Sequence, residues 1–460
     1  MSEPPLTPAA LHPVEQIVAD GHCMGCGFCT LAYGREQHGG PSIVMRYSPE
    51  MDHYVPAVRN WRPGDETGDV VCPGKTMDMP ALAAAVYGHQ PADPTIGEVI
   101  AVRAGHATDP VVRRSSASGG VTTALLNYLF DTGKIDAAYC AVAGDEPIQS
   151  AGRVIRTKAD LADIHGSIYH PVDFGRELAR LVDGTERFAF VGLPCEVAGL
   201  EMLKRRMPEL ARRHVISIGL FCGGINSYRG IGYYLDGFEV PWGDVGPIDY
   251  RHGDWPGHIR LRRKSTGEER VVPRIHGNSR WKILRYVVAF QGYWMLQRCR
   301  MCPDQVSDFA DIAVGDPHLQ RFRERGGEGF SAVLSRTARG EALLAAAISA
   351  GRITEEGLSV DEVVESQGYT LDNRRHCSAY GRVGRLFGLH YPDIRVYGTL
   401  DRSLRLRHYK YAFVDLLKVA LPDWKLLRFL YIPWQVFEYL FITFAPRVFW
   451  NRLARLMRNR

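Results

Sequence analysis

The 460-residue sequence lacks an apolar run of the ~20 residues that a membrane-spanning helix needs. Its longest low-charge stretch, 429–446, is interrupted by Pro433, Gln435 and Glu438. It also lacks internal repeats and low-complexity tracts, which excludes repeat arrays and tract-like linkers. Met1-Ser-Glu-Pro-Pro-Leu-Thr offers neither a basic stretch nor an apolar core, so no secretory leader is expected and the cytoplasm is the expected location. A basic body is missing as well. The net charge is +5, but residues 401–460 hold nine Arg and three Lys against three Asp and one Glu, so the other 400 residues are slightly acidic. Without a basic footprint in the body, no nucleic-acid partner is expected.

What the sequence does have is cysteine. A chain of this length, 45% hydrophobic, builds a core that needs no disulfides, yet it carries ten cysteines. Cys23, Cys26 and Cys29 crowd together, as do Cys299 and Cys302. In a reducing compartment such spacings read as metal or catalytic sites.

Cys23-Met-Gly-Cys26-Gly-Phe-Cys29 is a C-x2-C-x2-C run, with Cys72-Pro73 as a remote fourth thiol. Gly25 and Gly27 permit the tight winding that turns three thiolates toward one point. Three close thiolates and one remote Cys-Pro suit a [4Fe–4S] cluster held by four cysteines. A structural zinc site is the alternative, although zinc sites usually pair two C-x2-C arms.

Residues 1–90 show little helical or strand periodicity and are expected to form a small Cys-rich iron–sulfur segment. From about Val99 strand and helix signals alternate. Val121, Ala124, Leu125, Tyr128 and Leu129 recur at helical spacing, with Gly133 as the stop. Strands are expected at 135–142, 188–191 and 215–221, with helices after Cys195 and over 342–348. The region around Arg374-Arg375-His376 reads as irregular. The expected fold class is α/β, a mainly parallel-sheet core over 91–395, followed by an amphipathic helical tail over 396–460.

Cys299-Arg-Met-Cys302 alone is a weak signal. Cys195, in Val191-Gly-Leu-Pro-Cys195, and Cys222, in Gly219-Leu-Phe-Cys222, both follow expected strands, and a parallel sheet would put them at its ligand-binding edge. Buried inert thiols are the other reading of strand cysteines, and it suits Cys140. Cys377 has no assignment.

The stretches Ser118-Gly-Gly-Val-Thr-Thr-Ala-Leu-Leu126, Gly192-Leu-Pro-Cys195, Gly219-Leu-Phe-Cys222 and Cys299–Cys302 running on to Ala310-Asp-Ile-Ala-Val-Gly-Asp316 resemble the coenzyme F420 hydrogenase and dehydrogenase beta subunits. The resemblance covers roughly residues 100–340. It implies FAD beside a [4Fe–4S] cluster on Cys195, Cys222, Cys299 and Cys302, passing electrons to an organic acceptor. The additional N-terminal quartet is similar to the branch with 7-hydroxymethyl chlorophyll a reductase and ferredoxin-dependent divinyl chlorophyllide reductase, implying a ferredoxin-like donor.

Ser115-Ser116-Ala-Ser118-Gly119-Gly120 precedes the first helix. Hydroxyls and amides at a helix start suit a phosphate, here the pyrophosphate of FAD, and equally an ordinary capped helix. Gly166-Ser167-Ile-Tyr169 resembles a second cofactor motif of the family in which lysine stands where this chain has Ile168. His252, Asp254 and His258 lie in a Gly- and Pro-bearing loop that either supplies a proton or forms a surface turn. Asp316 reads as a chemical or a capping acid. The tail, 422–460, interleaves aromatic and basic residues, which suits an interfacial helix, partner docking or packing on the body. Three functions follow: an iron–sulfur flavoprotein reductase, an electron-transfer subunit feeding a partner enzyme, or a zinc-stabilised binding protein.

Overall fold

The computed structural model describes residues 11–33, 39–162, 164, 166–274, 280–290 and 293–420. Its first strands are the hairpin β1 (Ser42–Ser48) and β2 (His53–Arg59), then the short β3 (Thr76–Asp78). The body follows with β4 (Ala101–Ala107), β5 (Ala137–Val142), β6 (Ala151–Ile155), β7 (Phe188–Gly192) and β8 (His214–Leu220). Strands β9 (Val245–His252), β10 (His258–Arg263) and β11 (Glu269–Val272) form a separate antiparallel sheet. The chain then returns as β12 (Ile312–Gly315), β13 (Ser331–Ser335) and β14 (Ile353–Gly357). Last, β15 (Asp393–Arg395) pairs parallel with β3 and so ties the two ends of the described chain together.

The large sheet has the order β14-β4-β13-β12-β8-β7-β5-β6. Only its centre is parallel: β12 with β8, β8 with β7, and β7 with β5. The outer pairs β14–β4, β4–β13, β13–β12 and β5–β6 are antiparallel. The expectation of a mainly parallel-sheet core is therefore corrected to a mixed α/β fold with more helix than strand. The reason is local. The helix Pro194–Lys204 and the one after it supply the crossover that a parallel pair needs between β7 and β8, whereas β5 reaches β6 through one short turn. Alternation of strand and helix signals does not reveal which strands run antiparallel.

Strand pleating divides the core into two faces. Phe188 and Phe190 of β7, with Ala137 and Tyr139 of β5, point into one buried cluster. Ala189, Val191, Ala138 and Cys140 point into the other, against Val121, Leu125 and Leu129 of the helix Val121–Asp131. Phe28, between two cysteines of the first quartet, enters the first cluster together with Phe174, Phe190 and Leu200. The N-terminal cysteine segment thus shares the core of the body. Gly199 leaves room for the Phe28 ring, since a Cβ there would stand 2.7 Å from it.

The expected helices form at Val121–Asp131, Pro194–Lys204 and Ala338–Ser349. The region around Arg374 is not irregular: it is the middle of the 19-residue helix Gly368–Leu386. Arg374, in its middle, is fully buried and paired with Asp304 and Asp308. The aromatic tail, 422–460, lies outside the described residues. Among the described residues no helix is long and apolar enough to cross a membrane.

Phe28→Ala removes a ring that anchors the cysteine segment. Denaturant unfolding of the isolated variant is expected to show a loss of ~3–5 kcal/mol, and a loss below ~1 kcal/mol would mean that the segment is held elsewhere.

Candidate functional site

The first quartet begins just after the helix Pro13–Ala19. Gly25 and Gly27 both take left-handed backbone at φ +77, winding the chain so that Cys23, Cys26 and Cys29 approach one another. Cys72 arrives from the segment before β3. All four line one cavity, walled by Val14, Ile17, Met45, Pro56 and Val71. Burial first, then the neighbouring thiols, pushes the Cys23 thiol up to about 12 and raises Cys26 and Cys29 as well. Such thiols stay protonated at neutral pH until a metal displaces the proton.

The second quartet is assembled from three places. Cys195 sits in the first turn of the helix after β7, Cys222 follows β8, and Cys299 and Cys302 flank the end of the short helix Gln297–Arg300. Because β7 and β8 are parallel neighbours, their carboxyl ends deliver Cys195 and Cys222 to the same edge. All four cysteines line a second cavity. Burial, followed by Glu196 and the neighbouring thiols, raises the Cys195 thiol, and burial pushes Cys302 up to about 12 against the opposing charge of Arg298.

The two cavities adjoin. Met24 lines both, and Cys26 acts electrostatically on Cys195 across the boundary. Among the described residues no three His, Cys, Asp or Glu side chains group tightly enough for a single metal ion. Each quartet instead opens on a cavity, and its four-sulfur donor set suits a cluster. Cys140 is buried in the core. Cys377 is buried too and donates to the carbonyl of Arg374 at 3.0 Å.

The serine–glycine turn spends much of its polarity on the chain. The hydroxyls of Ser115 and Ser116 donate to the carbonyl of Val112 and that of Ser118 to the carbonyl of Phe330. The Gly119 amide donates to Ser331 Oγ at 3.0 Å, and a Cβ at Gly119 would strike the carbonyl of Gly105 and the amide of Ser331. That glycine is needed for backbone packing. What is left for a phosphate is the start of the helix Val121–Asp131, where Gly120 provides no side-chain cap.

The loop with the two histidines is the turn between β9 and β10. His252 and His258 face each other across the ladder, Asp254 and His258 are exposed, and His252 lies 3.6 Å from Asp249. Trp255 docks the loop on the body, its amide donating to Gly327 and its indole to Asp316 at 3.0 Å. A Cβ on Gly329 would meet both Trp255 and Ser118, so the serine turn and this hairpin converge.

Behind them lies a buried polar cluster that the sequence reading half missed. Arg251 grips Asp316 with two hydrogen bonds, at 2.8 and 3.2 Å, and donates to the Tyr169 hydroxyl at 3.2 Å. Arg274 sits over the Tyr169 ring. Burial alone would raise the Tyr169 phenol, but Arg251 and Arg274 outweigh it and bring its pKa below the usual value. Burial would raise Asp316 as well, and Arg251 holds it well below the carboxylate range. Asp316 and Tyr169 are thus brought together, while Gly166 stays exposed and Ser167 half-buried. Arg251 and Arg274 had no signal in sequence, since a lone arginine in a charged strand reads as surface.

The family models for the coenzyme F420 hydrogenase/dehydrogenase beta subunit match residues 102–178 with its N-terminal part and 185–361 with its C-terminal part. The coenzyme F420-dependent sulfite reductase of Methanocaldococcus jannaschii is 26% identical over 261 residues, 53% of this chain. The chain spans only 36% of that protein's length. Subunit beta of the coenzyme F420 hydrogenase of Methanosarcina barkeri is 23% identical over 56% of this chain and 82% of that subunit. A chain of the F420-reducing [NiFe] hydrogenase complex from Methanosarcina barkeri shares the fold, with a TM-score of 0.51 at 20% identity over 66% of this chain and 99% of that one. These matches overturn the expected placement in the chlorophyll-reductase branch. That placement rested on the N-terminal quartet, and Cys23, Cys26, Cys29 and Cys72 all precede the matched residues.

Arg251→Met leaves the Asp316 carboxylate buried without its partner, at an expected cost of ~3–5 kcal/mol near neutral pH. Because the pair depresses the folded-state pKa of Asp316, its contribution is full above the ordinary carboxylate pKa and fades as pH falls through the folded value. The gap between parent and variant in denaturation should therefore narrow on acidification, and a gap that widens would contradict the pairing.

Proposed function

The chain belongs to the coenzyme F420 hydrogenase/dehydrogenase beta subunit family, and on that premise we propose that it is an iron–sulfur flavoprotein serving as the electron-transfer subunit of a larger redox enzyme. Cys23, Cys26, Cys29 and Cys72 would hold one [4Fe–4S] cluster, and Cys195, Cys222, Cys299 and Cys302 a second. When bound, such clusters carry single electrons and FAD exchanges electrons singly or in pairs. The single observation that carries the reading is the adjacency of two four-cysteine cavities sharing Met24.

The chain's own residues have definable tasks. Val14, Ile17 and Val71 keep water from the first quartet. The uncapped helix start at Val121 offers amides to a flavin phosphate, with Ser118 beside it. Arg251, Asp316 and Trp255 fix the β9–β10 hairpin against that turn. His252, Asp254 and His258 remain candidate proton carriers at its tip. The subunit reading is preferred over a free-standing reductase because relatives such as the Methanosarcina barkeri protein are subunits of hydrogenases. Its partners are then a ferredoxin-like donor, a partner subunit, and an organic acceptor reduced by the assembly. The tail, 422–460, is the segment we assign to docking on that partner or on a membrane surface.

Protein prepared without oxygen should carry about eight irons per chain, four for each quartet. Cys26→Ser should lower that to about four and leave bound flavin unchanged. Zinc in place of iron, or about four irons in the parent protein, would contradict the assignment of the quartets.

A further inference from the structure

Arg298 is 1% exposed and lies between the two quartets. Its Nε donates to the carbonyl of Gly74 at 3.0 Å and its Nη2 to that of Pro73 at 3.0 Å, both beside Cys72. Its Nη1 donates to the carbonyl of Met301 at 3.2 Å, within the Cys299–Cys302 turn. The guanidinium therefore touches the backbone of both cysteine sites at once. The other arginines buried to this depth, Arg336 and Arg374, face the carboxylates of Asp308 and Asp304. Arg298 makes no ion pair among the described residues, and its hydrogen bonds go to neutral carbonyls.

A buried cation is costly unless an anion stands close to it. The groups on which the Arg298 charge acts include Cys72 of the first quartet and Cys299 and Cys302 of the second. Four thiolates around an iron–sulfur core carry net negative charge, and reduction adds one more. Net charge near a cluster is one of the levers on its potential.

We propose that Arg298 is the shared counter-charge of the two cysteine sites and raises the reduction potential of both clusters together. The proposal rests on the reading that both quartets hold clusters. A fixed positive charge stabilises the more negative, reduced form, so its removal must lower the potential. Because the cation bonds to both sites, both potentials must move in the same direction. Arg298 is thus a positioning and tuning residue.

The test uses the full chain, purified anaerobically, with iron and sulfide content and a redox titration followed by electron paramagnetic resonance. In Arg298→Met, iron should stay at about eight, and both clusters should show a reduced-to-oxidised ratio lower by about tenfold at fixed potential, about 59 mV for a one-electron couple. Arg298→Lys keeps the charge but breaks the three-carbonyl fork, and it should move both potentials by less than half as much. Full iron in Arg298→Met with unchanged potentials overturns the proposal, as does a shift of one cluster alone. If Arg298→Met loses its iron, Arg298→Lys decides: potentials near the parent's support the charge role, and a full tenfold fall of both overturns it. Parent protein without iron fails the cluster reading itself, and the proposal falls with it.

Discussion

Two hydrogen bonds from one guanidinium join chain segments 224 and 225 residues apart, and a third holds it to its own turn, so that two cysteine sites meet at a common boundary. Arg298 ties the backbone after Cys72 to the turn that carries Cys299 and Cys302. The central parallel strands supply the rest. Their carboxyl ends deliver Cys195 and Cys222 to one edge, and Phe28 drives the N-terminal segment into the core beneath them. Two cavities that share Met24 are the result. A redox subunit needs this contiguity, because electrons pass efficiently only between neighbouring centres.

The matched family stretches contain the second quartet and the serine–glycine turn, whereas the first quartet and the helices after residue 361 lie outside them. This chain therefore carries the family's redox body with an additional cysteine site in front. Helices from the far end also contribute: Asn373, His376 and Asp415 line the second cavity, and Asp415 pairs with Arg300 and His376. The additions at both ends pack around the same centre and are tied to each other through β3 and β15.

Much of the site was legible in sequence because cysteine spacing carries its chemistry on its face. Cys195 and Cys222 could be placed because each follows a hydrophobic run that reads as a strand. Sheet direction was not legible: nothing within β4, β13 or β14 marks its direction, and only pairing makes them antiparallel. The helix Gly368–Leu386 was hidden because Arg374 and Arg375 resemble solvated residues, whereas Arg374 is buried against Asp304 and Asp308 from 70 and 66 residues away. Gly119 shows a packing role that the sequence hides. Its place in a cofactor-like motif suggested a ligand, while the carbonyl of Gly105 already accounts for the missing side chain. Arginine roles escaped altogether, since Arg251 and Arg298 acquire meaning only from the carboxylate or carbonyls that the fold sets around them.

The central claim is that the two quartets form one contiguous redox unit, and magnetic interaction between them tests it most directly. Fully reduced protein, prepared without oxygen, should give an electron paramagnetic resonance spectrum broadened and split by spin coupling between adjacent clusters. Cys26→Ser should collapse that pattern to the simple signal of one isolated cluster. Two sharp, independent signals in the parent protein, unchanged by dilution and unaltered in shape by loss of either cluster, would contradict the account.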